Sequence, residues 1–335
     1  MTTTAAPDLL ATIVAATRHI VSVRERTVPR ASLEREAARR LDSGRPGGDA
    51  FADALRSAAS PRIIAECKRR SPSRGLLRRE YDPASHAAAY QAAGAIAISV
   101  LTEPTFFDGA LEHLERVRAA VSLPVLRKDF IVSEYQIVEG AAAGGDAVLL
   151  IVGALEDAAL RRLLRFADDL DVAALVEIHD VVELTRALDA GAQIVGVNSR
   201  NLRTLTVDPG VFDAVAAALP DGITAVAESG LRTPGDLRRL TSVGYHAFLV
   251  GERLMSEGDP GTALRELREQ QPNVSLPPKG GSHGSSHSPP WLPPSGERSR
   301  ARSSPWLPPS GGRSRALFFP WLPPSGGRSP FGHEP

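Results

Sequence analysis

The chain has 335 residues, with 39 Lys+Arg balanced by 39 Asp+Glu, and its single cysteine, Cys67, excludes an intrachain disulfide. Composition breaks near Gln271: residues 272–335 hold 15 of the 27 prolines and all three tryptophans, with 7 basic side chains against 2 acidic ones. The first 271 residues keep 32 basic and 37 acidic groups, a mild acidity that excludes a general nucleic-acid-binding surface.

Residues 7–58 read as helical, with apolar positions at Leu9, Leu10, Ile13 and Val14, then Leu33, Ala37, Leu41, Phe51 and Leu55, broken at Pro29 and across 44–48. This predicts an N-terminal helical extension over residues 1–60. No apolar stretch reaches membrane-spanning length and no cleavable signal opens the chain, so a cytoplasmic protein with no membrane partner is expected. From Pro61 the pattern becomes strand, loop, helix, repeated. Strands are predicted at 62–68, 95–101, 124–128, 146–151, 172–177, 193–198, 223–228 and 246–250. Helices are predicted at 83–93, 109–120, 133–143, 155–170, 180–190, 208–218, 233–243 and 259–270. Asp82-Pro83, Asp208-Pro209 and Thr233-Pro234 mark helix starts, and Gly94, Gly144, Gly191 and Gly244 mark ends. Eight such units over residues 61–271 specify an α/β protein, a (β/α)₈ TIM barrel. A doubly wound open sheet is the alternative, but the turn after the first strand reads KRRSPSRG and carries no dinucleotide fingerprint. Beyond Gln271 the chain repeats a Trp-Leu-Pro-Pro-Ser-Gly unit, with Trp291, Trp306 and Trp321 spaced 15 apart. A disordered C-terminal tail is expected there, a polyproline-II ligand being the other reading.

Polar residues recur where strands end. Residues two apart on a strand share a face, so Glu66 and Lys68 point into one mouth. Lys128, Glu177, Asn198 and Glu228 reach it from later strands, and Ser71 and Arg200 stand on loops above. Lysines and carboxylates in one cleft suit acid–base chemistry on an anionic substrate, with a lysine pKa low enough to donate a proton. The bland alternative is ion pairing alone, Glu66 with Lys68 and Lys128 with Glu177. Glycines at Ser229-Gly230 and Gly251 let backbone N–H groups approach a phosphate. Cys67 faces the helices as a structural thiol. His179 and Glu177 alone make no metal site, and no metal is expected. His86 and His113 read as surface or capping residues.

The stretches IIAECKRRSPSRG, SVLTEPTFFDG, PVLRKDFIVSEYQI, AGGDAVLLIV, ALVEIHD, GVNSRNL, AESGL and FLVGERLM closely resemble indole-3-glycerol phosphate synthase, in order across residues 7–270. The resemblance implies a barrel without a cofactor that closes the indole ring of 1-(2-carboxyphenylamino)-1-deoxyribulose 5-phosphate, releasing carbon dioxide and water. It implies Lys128 as general acid, Glu177 as its proton-transfer partner and Glu66 in the same catalytic cluster. Lys68 binds the carboxylate or phosphate side and shares the acid role. Asn198 and Arg200 hold the substrate, Ser71 and Phe130 lie at its anthranilate end, and Glu228 supports the site. Ser229, Gly230 and Gly251 contact the phosphate. Glu252 stands where some members carry serine, which leaves only its backbone N–H as a ligand. The expected partner is a small anionic phosphorylated substrate, and the expected state a monomer or weak dimer. Rival readings are a sister barrel such as phosphoribosylanthranilate isomerase, a Schiff-base aldolase using Lys128, and a non-catalytic scaffold acting through the Trp-Pro tail.

Overall fold

A computed structural model describes residues 8–42, 46–57 and 60–269; the repetitive tail lies outside the described residues. Three helices come first: α1 (Leu9–Thr27), α2 (Arg30–Asp42) and α3 (Gly48–Arg56). There follow β1 (Ile63–Cys67), a short hairpin of β2 (Arg70–Ser71) and β3 (Gly75–Leu76), α4 (Pro83–Ala92), β4 (Ala97–Leu101), α5 (Pro104–Phe107), α6 (Leu111–Ala120), β5 (Val125–Lys128) and α7 (Glu134–Ala143). The second half runs β6 (Ala147–Ile151), α8 (Asp157–Asp169), β7 (Ala173–Ile178), α9 (Val181–Ala190), β8 (Ile194–Asn198), α10 (Gly210–Ala216), β9 (Thr224–Glu228), α11 (Pro234–Ser242), β10 (Ala247–Val250), α12 (Glu252–Ser256) and α13 (Pro260–Arg268). The eight longer strands are parallel and close in the order β1-β10-β9-β8-β7-β6-β5-β4. This is the (β/α)₈ barrel expected from the repeated strand–helix pattern.

Strand alternation divides the side chains into two cores. Ile63, Ala65 and Cys67 of β1 point outward and pack with the helices. Ile64, Leu126, Leu149, Leu175, Val226 and Leu249 point inward and form an apolar plug. Each such burial stabilises by about 1.5–3 kcal/mol, which offsets what a charged layer costs above. At the next inward positions the residue type changes to Glu66, Lys128, Glu177, Asn198 and Glu228. Register sets neighbours at that level: Asn198 pairs with Glu228 across β8 and β9.

The extension serves both ends of the barrel. Phe51 and Leu55 of α3 are fully buried in the inner core. The Gly48 N–H donates to the Asp171 carbonyl at 2.8 Å, just before β7. A Cβ on Gly48 would lie 2.6 Å from the Ala173 nitrogen, so only glycine lets α3 seat there. Residues Leu9 and Ile13 of α1 instead line the cavity at the C-terminal strand ends.

Helix punctuation follows the sequence closely. Asp82 caps α4 ahead of Pro83, and Thr233 and Asp236 form a reciprocal capping box on α11. Gly144 and Gly191 end α7 and α9 in the left-handed region, with φ of 112° and 98°. Asp208-Pro209 departs from expectation: α10 starts later, at Gly210, whose N–H donates to the Asp208 carboxylate at 2.9 Å. The hairpin, α5 and α12 were too short to show periodicity. In α5 the Glu103 carboxylate accepts the N–H groups of Thr105, Phe106 and Phe107. His86 corrects a surface assignment: it is buried, its ring stacked on Tyr81 at 5.6 Å, and His113 meets the same Tyr81 edge-on at 5.3 Å. Among the described residues no helix is long and apolar enough to cross a membrane.

Candidate active site

A cavity of about 950 Å³ opens at the C-terminal ends of the strands. All twelve residues singled out from the sequence line it: Glu66, Lys68, Ser71, Lys128, Phe130, Glu177, Asn198, Arg200, Glu228, Ser229, Gly230 and Gly251. Each arrives there because it sits at, or just beyond, the end of a strand.

At the floor, Lys128 Nζ donates to Glu177 Oε2 at 2.8 Å and lies 3.1 Å from Glu228 Oε2. Asn198 Nδ2 donates to the other Glu177 oxygen at 3.1 Å, while Asn198 Oδ1 accepts the Arg200 backbone N–H at 2.9 Å. Lys68 pairs with Glu66. The ion pairs foreseen as a bland alternative therefore exist, but they face a cavity and leave substrate room above them.

Two glycines make space for these carboxylates. A Cβ on Gly196 would lie 2.1 Å from Glu228 Oε1, and one on Gly251 would lie 2.1 Å from Glu66 Oε1. The Ser229-Gly230 turn has φ of 66° and 72°, and Ser199 Oγ donates to the Ser229 carbonyl at 3.2 Å, fixing it. Ser71 Oγ accepts the Arg74 N–H at 3.3 Å on the loop after β1.

Electrostatics correct one expectation. Burial acts to lower the Lys128 pKa, but the Glu177, Glu228 and Glu66 carboxylates outweigh it and hold the ammonium above the ordinary lysine value. Lys128 is thus kept protonated instead of being made a weaker base. Burial also acts to raise Glu177, yet Lys128 and His179 bring it below the usual carboxylate range. Glu228 is pushed up to about 7, first by burial and then by Glu177 and Glu66, against the pull of Lys128.

Sequence reasoning missed the apolar wall. Leu9 and Ile13 of α1, with Phe107 and Leu202, line the cavity beside Phe130, whose ring centroid lies 6.1 Å from that of Phe107. Leu9, Leu10, Ile13 and Val14 span more than one helix face, which was the available signal. Also missed were the partners of Glu252. Its carboxylate lies 3.3 Å from Arg200 Nη2 and 3.6 Å from Arg74 Nε.

Residues 10–267 match the family model described as indole-3-glycerol phosphate synthase. The chain belongs to that family. A relative from Beutenbergia cavernae named indole-3-glycerol phosphate synthase is 47% identical over 259 residues, covering 77% of this chain and 94% of the relative. Another of that name from a Nocardioides species is 53% identical over 210 residues, covering 63% and 81%. Among solved structures, 3-hexulose-6-phosphate synthase superposes with a TM-score of 0.50 at 14% identity, over 62% of this chain and 98% of that one, and shows the fold alone.

Family membership makes the chain a carboxy-lyase of tryptophan biosynthesis acting on a phosphorylated substrate. It closes the indole ring of 1-(2-carboxyphenylamino)-1-deoxyribulose 5-phosphate to give indole-3-glycerol phosphate. The isomerase and scaffold readings are not favoured. Cys67, on which an isomerase-type acid–base pair would rest, is fully buried with its Sγ toward the Pro83 carbonyl, and burial pushes its thiol far up.

Proposed function

We propose that Lys128 and Glu177 carry the proton transfers of the synthase reaction. Ring closure joins the ring carbon bearing the carboxylate to the keto carbon, and the keto oxygen must gain a proton. Carbon dioxide then leaves, and departure of water needs a second proton on the new hydroxyl and one removed from the neighbouring carbon. Lys128 is the general acid at the oxygen, and Glu177 returns protons to it. Glu66 belongs to the same cluster, Lys68 shares the acid role and binds substrate charge, and Glu228, with a proton affinity near neutrality, supports the exchange.

Substrate charge and shape divide the cavity accordingly. Phosphate sits on the Ser229-Gly230 and Gly251 backbone with Lys68. The carboxylate end meets Arg200, Asn198 and Ser71, and the aromatic ring lies against Phe130. Glu252 contributes its backbone N–H, its carboxylate being held by Arg200 and Arg74. The protein acts in the cytoplasm as a monomer or weak dimer, without nucleic acid, membrane or cofactor.

The observation that carries this reading is the placement of Lys128 Nζ between Glu177 and Glu228, at 2.8 and 3.1 Å. Glu177→Gln is expected to lower turnover, followed by indole fluorescence, by about a hundredfold or more. Turnover within about tenfold of the parent would remove Glu177 from this role.

A further inference from the structure

His179 follows β7 and lies two residues beyond Glu177, and the mechanism above leaves it without a task. Its ring is held between two carboxylates. Nδ1 is 3.0 Å from Glu183 Oε2 on α9, and the same oxygen accepts the His179 backbone N–H at 2.8 Å. On the other side Nε2 lies 3.5 Å from Glu177 Oε1 and makes no hydrogen bond. The backbone of Glu183 is anchored at the helix start, its N–H donating to the Asp180 carboxylate at 2.8 Å. The ring sits behind Glu177, outside the cavity lining among the described residues.

We propose that His179, braced by Glu183, is a positioning residue for the reaction, holding the Glu177 carboxylate toward Lys128 and Asn198. This rests on the assignment of Glu177 to proton transfer. The geometry decides the ring's charge. With Nδ1–H donated to Glu183, a neutral ring would turn the Nε2 lone pair toward a carboxylate oxygen. Protonating Nε2 replaces that repulsion with attraction, so the site favours the imidazolium. The charged groups facing the ring are Glu177 on the preceding strand β7, Glu183 on α9 and Glu228 on β9. Burial lowers the ring's proton affinity, but these three carboxylates raise it above the ordinary histidine value. The imidazolium in turn helps Lys128 keep Glu177 ionised. Glu177 thus has its Oε1 fixed by Asn198 and His179, and its Oε2 by Lys128. Two oxygens anchored on opposite sides leave the carboxylate little freedom to rotate.

The test compares His179→Asn, His179→Gln and Glu183→Gln in the full chain, with kcat and KM measured across pH 5–9. For His179→Asn, kcat on the pH plateau is expected to fall about tenfold, as misplacement of a reacting group does. KM should stay within about twofold because the ring does not line the cavity. The acid limb of the kcat profile should move to higher pH by about one unit, since losing a cation near a carboxylate makes it easier to protonate. Glu183→Gln should shift the limb in the same direction by less, and the double variant should be no worse than His179→Asn alone. If His179→Asn fails to fold, His179→Gln and Glu183→Gln carry the same expectations. An unmoved acid limb with kcat within twofold overturns the proposal, as does a rise in KM at constant kcat. Glu177→Gln, run alongside, separates the two readings. If that variant is inactive while the His179 variants leave the profile unchanged, only the positioning role fails. If Glu177→Gln stays active, the assignment beneath it fails as well.

Discussion

Replacing Lys128 with methionine keeps most of the unbranched side chain and removes the cation that Glu177 and Glu228 share. At an effective dielectric of about 20, charges 2.8 and 3.1 Å apart attract by roughly 6 and 5 kcal/mol before any cost is subtracted. Burying the ammonium takes back several kcal/mol, so the net loss on removing one partner is about 3–5 kcal/mol. That loss depends on pH, and its sign follows from the carboxylates left behind. Without Lys128, burial and the neighbouring carboxylates are left to raise Glu228 further above its unfolded value. A carboxylate raised in this way is harmless while protonated, and its contribution to stability is lost as pH rises through the folded value. Glu228, already at about 7 beside Lys128, should be protonated at pH 6 and ionised at pH 9. The deficit should therefore be larger at pH 9 than at pH 6 by about 1 kcal/mol or more, each unit of pKa being worth about 1.4 kcal/mol. Urea denaturation of parent and variant at both pH values measures it. Turnover, read by indole fluorescence, should fall by about a hundredfold or more at either pH. Equal deficits at the two pH values would refute the electrostatic reasoning, and turnover within about tenfold would refute the acid role.

Further expectations concern single groups. In the parent protein Glu228 is raised to about 7, so its contribution is present at pH 5 and lost by pH 8; Glu228→Gln should flatten that decline in denaturation midpoints. Gly251→Ala places a methyl 2.1 Å from Glu66 Oε1 and must push that carboxylate off Lys68, so kcat/KM should drop about tenfold or more; an unchanged value would mean the cluster tolerates a displaced Glu66. Ending the chain after Gln271 should leave turnover and melting temperature unchanged, and loss of either would give the Trp-Pro repeats a role in the body of the protein. The Cys67 thiol, fully buried and pushed far up, should resist thiol reagents until denaturant is added; rapid labelling of the native protein would contradict its burial.

Strand ends were legible because a strand's period of two assigns each side chain a face without reference to any other strand. Glu66 with Lys68, Lys128, Glu177, Asn198 and Glu228 could be placed at one rim on that basis alone. Helix ends were legible for a similarly local reason, as at Asp82-Pro83 and Gly144. The apolar wall was not, because Leu9 and Ile13 reach the cavity from α1, a helix separated from the first barrel strand by two further helices.

Local chemistry in the sequence thus determined the barrel, most of its punctuation and the polar residues at the cavity's rim. Tertiary structure decided which charges meet: Lys128 with two carboxylates, Glu252 with two arginines, His179 between Glu177 and Glu183. The physical reason is distance. Alternation tells which way a residue points, whereas Coulomb energy and proton affinity depend on separations of a few ångströms between side chains on different strands. Those separations are set by barrel closure and register, and they turned a lysine expected to be easily deprotonated into one held firmly as its ammonium.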